Sequence, residues 1–396
     1  MYNFKGGRVG QVLACLALVA GCGGDSSTGD DLPPDDPGFP APPDGAGLQL
    51  VSAVHVGPGE EQLACRYLVL PAAPLEIARF QHHYTPGSHH MLVYPTHLKP
   101  ADVDDQAVFD CLSRGDLGVT GVLYGASDPD GELPYPDGIG MKLPASSVVL
   151  LETHYLNPTD VPLDAEARVN LWFAPQPIAI EAGTLFFRDW AVLLPPAPAE
   201  ATATMRCELP QDISLLYATS HMHRRGVAFH SQVTPPGGPA FSLHDSDSWS
   251  APTPTVSWPP LELTAGSTVE FGCDYRNDSA SPVIEGTSGE RDEMCVLVGG
   301  YWPKLSADSE LCLADGSGPV LDGARTCKQT VDCMVDAGVD NWVGGQQCIA
   351  DTCAGSASAL SSFVVCVNRF DCWGDAGCVA AHCEPQYTSC TQAACD

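Results

Sequence analysis

Residue-by-residue alternation of apolar and polar side chains constrains this chain more than any other feature. Ala167, Val169, Leu171 and Phe173 alternate with Arg168, Asn170 and Trp172; Val269, Phe271, Cys273 and Tyr275 alternate with Glu270, Asp274 and Arg276. A period of two belongs to a strand with one face on a core and the other toward water. The 39 glycines and 35 prolines break the chain into short stretches, and few long apolar runs have helical spacing. The pattern predicts an all-β protein of two consecutive antiparallel, jelly-roll-like β-sandwich domains, at residues 48–178 and 179–316. The Pro-rich stretch from Leu194 to Pro198 is one candidate for the neighbourhood of the junction, and a point nearer Phe173 to Ile180 is the other.

The 18 cysteines and the first residues speak to compartment. Lys5 and Arg8 precede a short apolar run, Val12 to Ala20, too short to span a membrane. Leu18-Val19-Ala20-Gly21-Cys22 resembles a bacterial lipobox, so residues 1–21 are expected to be a signal peptide and Cys22 the lipid-bearing residue. Gly23 after it points to the outer membrane of the cell envelope. The expected membrane contact is thus an N-terminal lipid. Residues 22–47, rich in Asp, Pro, Gly and Ser, read as a flexible tether. A formal charge of -31 argues against a nucleic-acid partner.

From residue 317 to 396 a cysteine spacing repeats: Cys327-x5-Cys333 and Cys348-x4-Cys353, then Cys366-x5-Cys372 and Cys378-x4-Cys383, with Cys390 and Cys395 trailing. In an exported chain such pairs are disulfides before they are zinc ligands. The region reads as two copies of a small stapled unit, an interaction or spacer module that could take a protein partner.

Histidine carries the chemistry. Three compact motifs stand out: Gly87-Ser88-His89-His90-Met91, Glu152-Thr153-His154-Tyr155 and Ser220-His221-Met222-His223, followed by Asp292-Glu293-Met294-Cys295. On a strand, His221 and His223 share a face and can grip one metal. A thioether as third ligand suits copper that visits Cu(I), not zinc or a hard cation. His89 and His90 point to opposite faces of a regular strand, so joint use of both needs a local bend. His82 and His83 are read as surface residues, as are Arg224 and Arg225.

Taken together and in order, these motifs resemble the catalytic core of the copper type II, ascorbate-dependent monooxygenases, the family that includes peptidylglycine α-hydroxylating and dopamine β-monooxygenases. The resemblance runs from about Leu48 to Leu313, and includes Leu133 to Met141 and Cys273 to Asn277. It implies two β-sandwich domains facing each other across a solvent-filled cleft, and two copper ions per chain. His89, His90 and His154 would form an electron-supplying site; His221, His223 and Met294 would form the oxygen-binding, catalytic site. Dioxygen would be the co-substrate, ascorbate the reductant, and a C–H bond of a small organic molecule the target. The resemblance also implies the disulfides Cys65–Cys111, Cys207–Cys312 and Cys273–Cys295.

Where the peptide-hydroxylating members clamp a substrate carboxylate, this chain has Thr219, Val296 and Val298, which argues against peptide amidation. The main rival reading is a non-catalytic copper-binding lipoprotein for storage, delivery or detoxification. Two chemically different ligand sets argue against it, since storage would not need them. A surface adhesion protein with incidental histidines is the third reading.

Overall fold

The structure, a computed structural model, describes residues 38–114, 117–314, 316–338 and 340–395; the side chain of His89 is also outside this set. The signal peptide, Cys22 and most of the expected tether therefore lie outside the described residues. The described part is mostly β, with a helical, disulfide-rich C-terminal region.

In the first half, one sheet runs in spatial order Gly47–Val56, Leu163–Phe173, Leu75–Tyr84, Ile139–Leu143 and Ile180–Glu181, with Asp130–Pro134 also paired to Leu75–Tyr84. A second sheet runs Val108–Asp110, Glu61–Val69, Val148–Leu156, Ser88–Pro95 and Tyr124–Ala126. Pairing is antiparallel throughout except at Ile180–Glu181. Ile77, Phe80 and Leu171 of the first sheet and Met91, Val93 and Leu151 of the second share one core. That leaves the opposite face of the second sheet, which carries His90, Glu152 and His154, to turn toward the second half.

The second half repeats the plan. Gly183–Arg188, Cys295–Trp302, Ile213–Met222 and Thr255–Leu263 form one sheet; Phe241–Ser246, Gly226–Thr234, Thr268–Asn277, Ala199–Glu208 and Gly318–Pro319 form another. Leu185, Phe187 and Leu215 meet Met205, Phe229 and Phe271 between them. The expected alternation holds here: Val269, Phe271, Cys273 and Tyr275 are buried, and Arg276 is exposed. The Pro-rich stretch is not the junction. The chain crosses between halves near Ala182, and Leu193–Leu194 already pairs with Val283–Ile284 inside the second half.

In the strand Leu163–Phe173 the polar set is not solvated. Arg168 and Asn170 are as buried as their apolar neighbours, because residues 38–46 lie over that face. Asn170 Nδ2 donates to the Pro40 carbonyl (3.0 Å), Gln49 Nε2 to the Phe39 carbonyl (3.4 Å), and Phe39 is itself buried. The last ten residues of the expected tether are thus part of the fold. Buried amides with partners cost little; without this cover they would face water.

The tail is five helices, Cys327–Ala337, Trp342–Ala350, Ala354–Phe370, Ala376–His382 and Glu384–Gln392. A capping box between Thr326 and Gln329 starts the first and Gly338, at φ +90°, follows its end. Its disulfides are Cys327–Cys390, Cys333–Cys348, Cys353–Cys395, Cys366–Cys383 and Cys372–Cys378. The sequence repeat is thus only half a structural one. Both units join their second and third cysteines, but only the later unit closes its outer pair. The outer cysteines of the earlier unit take Cys390 and Cys395, which do not trail but complete it. Rather than a detached spacer, the tail docks on the second half: Ala191 shares a cluster with Ile349, Phe363 and Val364, and Gln346 Nε2 donates to the Trp190 carbonyl (2.8 Å).

Eight disulfides join all sixteen described cysteines. So many staples belong to a chain that matures in an oxidising, extracytoplasmic compartment. Among the described residues, no helix is long and apolar enough to cross a membrane.

Candidate metal centre

The strand Val148–Leu156 alternates strictly. Val149, Leu151 and Tyr155 point into the first half's interior, so Leu150, Glu152 and His154 face the other way. Its neighbour Ser88–Pro95 places His90 opposite His154 and Leu92 opposite Glu152. A register shift lies between Ser88 and His90, the local bend that adjacent histidines require, and Ser88 Oγ donates to the carbonyls of both His90 (2.8 Å) and His154 (3.0 Å).

In the second half, Tyr217, Thr219 and His221 line the face turned toward the first half. His223 stands just past the strand end, held by its backbone: its N–H and that of Arg225 donate to the Glu293 carboxylate (3.0 and 2.8 Å). Glu293 is wholly buried, and burial pushes its carboxyl up to about 7 against those two donors. Next to it, the Met294 carbonyl accepts from Tyr275 Oη (2.8 Å), and the disulfide Cys273–Cys295 fixes the following residue. The other pairings that the resemblance implies, Cys65–Cys111 and Cys207–Cys312, are also bridged.

The four described histidines of the motifs meet. Ring centroids are 5.2 Å apart for His90–His154, 5.0 Å for His90–His221, 5.3 Å for His221–His223 and 6.5 Å for His154–His223. At the histidines the halves are therefore in contact, not separated by a solvent-filled cleft. Leu216 and Trp302 of the second half join the core cluster of the first, and the histidines close up beside that contact. Met294 lines the same cavity as His90 and His221.

Three of the four rings are anchored through one nitrogen. His90 Nε2 is 3.2 Å from Glu152 Oε1, His154 Nε2 is 2.9 Å from Glu61 Oε1, and His223 Nδ1 donates to the Asp292 carbonyl at 3.1 Å. Such outer partners set ring orientation and tautomer, as they do for metal-binding imidazoles. Burial lowers His223 to about 4, so its ring is neutral at physiological pH, the form that binds metal. Imidazoles plus one thioether make a donor set that suits copper. Among the described residues, no three His, Cys, Asp or Glu side chains of the cluster bring ligand atoms within 4.8 Å of one another. The one group that does is Cys65, Cys111 and Glu152, whose sulfurs are spent in a disulfide.

Glu61, Tyr94 and Arg188 complete the surroundings, and nothing in their local sequence marks them. Glu61 is held down to about 2, chiefly by its hydrogen bond to His154. Glu152 goes the other way, up to about 7, because burial outweighs the opposing His154 charge and the Tyr94 hydroxyl. Glu152 does carry a signal: it lies two residues before His154 and must share its face.

Two surface expectations are overturned. His82 is buried, with Nδ1 2.7 Å from Tyr124 Oη and Nε2 2.8 Å from the Asp128 carbonyl, and burial lowers its basicity; His83 is half-buried on Asp130. Arg225 is also buried; its Nη2 donates to the Glu290 carbonyl (2.9 Å), beside the Glu293 carboxylate, while Arg224 stays partly exposed on Asp278. Both misreadings have one cause: the partners are distant in sequence.

No protein-family model matches the chain, and no curated protein matches it. Among solved structures, the chain is similar to a recombinant peptide:N-glycanase F at 10% identity, over 64% of this chain and 94% of that one, with a TM-score of 0.27. It is similar to a peptide-N(4)-(N-acetyl-β-D-glucosaminyl)asparagine amidase at 8% identity, over 64% and 95%, with a TM-score of 0.24. A coconut allergen, cocosin, follows at 7% identity, over 76% and 91%, with a TM-score of 0.15. Likenesses this slight carry no argument about function.

Proposed function

We propose that this protein is a copper- and ascorbate-dependent monooxygenase of the copper type II kind, its two sheet pairs being two jelly-roll-like β-sandwich domains. The observation that supports this best is the meeting of three sequence-distant histidine motifs with Met294 around one cavity. His90 and His154, with His89, would hold one copper; His221, His223 and Met294 would hold the other. Copper held by these residues would supply one-electron redox chemistry. In the overall reaction a C–H bond becomes C–OH. The second oxygen atom leaves as water, taking up two protons and two electrons from the reductant, ascorbate.

The chain's own residues have clear tasks in this reading. Glu152, Glu61 and the Asp292 carbonyl orient three rings. Glu293 sets the spacing between the His221–His223 turn and Met294. The packed halves keep His90, His154 and His223 buried. A lipid on Cys22 would keep the enzyme at the envelope surface. Ascorbate-driven oxygen uptake by the copper-loaded full chain tests the reading. Met294→Ile should abolish uptake while His89, His90 and His154 still bind copper. Undiminished uptake in that variant would overturn the assignment.

A further inference from the structure

Between the inward-facing sheets of the two halves lies a cavity of about 620 Å³, ample for a ligand of drug size. Its walls are mainly aliphatic and aromatic; Phe186, Tyr217 and Val298 form much of the second half's side, and Leu63 and Leu92 line the first half's. The polar end is the histidine cluster, where His90, His221 and Met294 reach the cavity. The register explains the wall: Thr219 pairs with Val298 and His221 with Val296, so the strip leading to His221 carries no charge.

Charge narrows the occupant. Arg188 is the only cationic side chain among the lining residues that is not a histidine, and it is ion-paired with Glu285. The carboxylates Asp128, Asp130 and Glu132 lie at one margin, and Asp130 and Glu132 have partners in His83 and Arg79. A carboxylate or phosphate entering here would meet no guanidinium or ammonium beyond the already paired Arg188 and would lose its hydration. One edge of the cavity is marked by Val256 and Trp258, two residues apart on the edge strand Thr255–Leu263 and 68% and 73% exposed. Large apolar side chains held in water beside an apolar cavity mark an entry for an apolar ligand.

We infer that the substrate is a bulky, uncharged, predominantly apolar molecule that enters past Val256 and Trp258 and lies along Tyr217, Thr219 and Val298, with one end at His221 and Met294. This inference rests on the proposed oxygenase reading only for the word substrate; the binding itself does not need copper, so the two can fail separately.

The test is equilibrium binding to the copper-free full chain, with the neutral fluorophore N-phenyl-1-naphthylamine as probe. It would be displaced by either 2-ethylnaphthalene or its charged counterpart 2-naphthylacetate. The neutral competitor should win by about tenfold or more, because the anion must be buried without a partner. Thr219→Arg should lower probe affinity about tenfold and favour the carboxylate, since it fills the strip and supplies the missing charge. Trp258→Ser, at a position too exposed to matter for folding, should weaken the probe severalfold and serves if the arginine variant does not fold. Equal or better competition by the carboxylate would overturn the inference. So would probe binding that neither variant alters, which would put the probe in the other large apolar cavity, against the tail helices around Trp342 and Trp373.

Discussion

The Glu61 carboxylate lies 2.9 Å from His154 Nε2 and also accepts from Ser288 Oγ (3.0 Å) and the Gly289 amide (2.8 Å), so the group that orients a first-half histidine also holds the loop leading to Met294. One side chain thereby couples both expected ligand sets.

Glu61→Gln keeps the shape but removes the anion. Loss of such an outer partner weakens metal binding by about 10- to 100-fold. The variant is expected to lose copper affinity by that order and to exchange amide hydrogens faster across residues 285–293. Chelator competition and hydrogen exchange check the two effects; unchanged copper affinity would mean that Glu61 only joins the halves.

Asp189 gives a prediction about pH. It is buried and accepts from the Ala191 amide (2.8 Å), and burial raises it to about 7 from an ordinary 3.8. The unfolded chain releases this proton at lower pH than the folded one. The contribution to stability therefore falls as pH rises between about 4 and 7 and is level outside that window, with a slope of at most about 1.4 kcal/mol per pH unit. Asp189→Asn retains the acceptor and cannot ionise. In urea unfolding, its stability relative to the parent should rise steadily from pH 4 to 7; a constant difference would contradict the burial argument.

The tail's disulfides differ in the loops they close. Cys327–Cys390 spans 63 residues and Cys372–Cys378 spans 6. Chain entropy assigns them about 4 and about 2 kcal/mol. Serine pairs at the two sites should destabilise the tail in that order, read by chemical unfolding. The reverse order would show that local packing, not loop closure, decides.

Legibility in the sequence followed distance along the chain. The period-two stretch at Val269 to Tyr275 was readable because strand, face and core are local. The motif order, and the disulfide pairings that came with the resemblance, were readable because ligands cluster in short runs. Glu61 was not: its loop partners are 227 and 228 residues away. His82 likewise takes Tyr124, 42 residues on. The polar face of Leu163–Phe173 looked solvent-exposed because nothing in that strand reveals that Pro40 will cover it. The tail's cysteine repeat suggested two equal units, and spacing alone could not show that Cys390 and Cys395 reach back to the first.

The measurement that bears most directly on the central claim is copper stoichiometry of the full chain, by chelator-controlled titration, on the parent, on His154→Ala and on a His221→Ala/His223→Ala pair. The account predicts two tightly held coppers in the parent and one in each variant. No tight copper in the parent, or two coppers undisturbed in both variants, would contradict it.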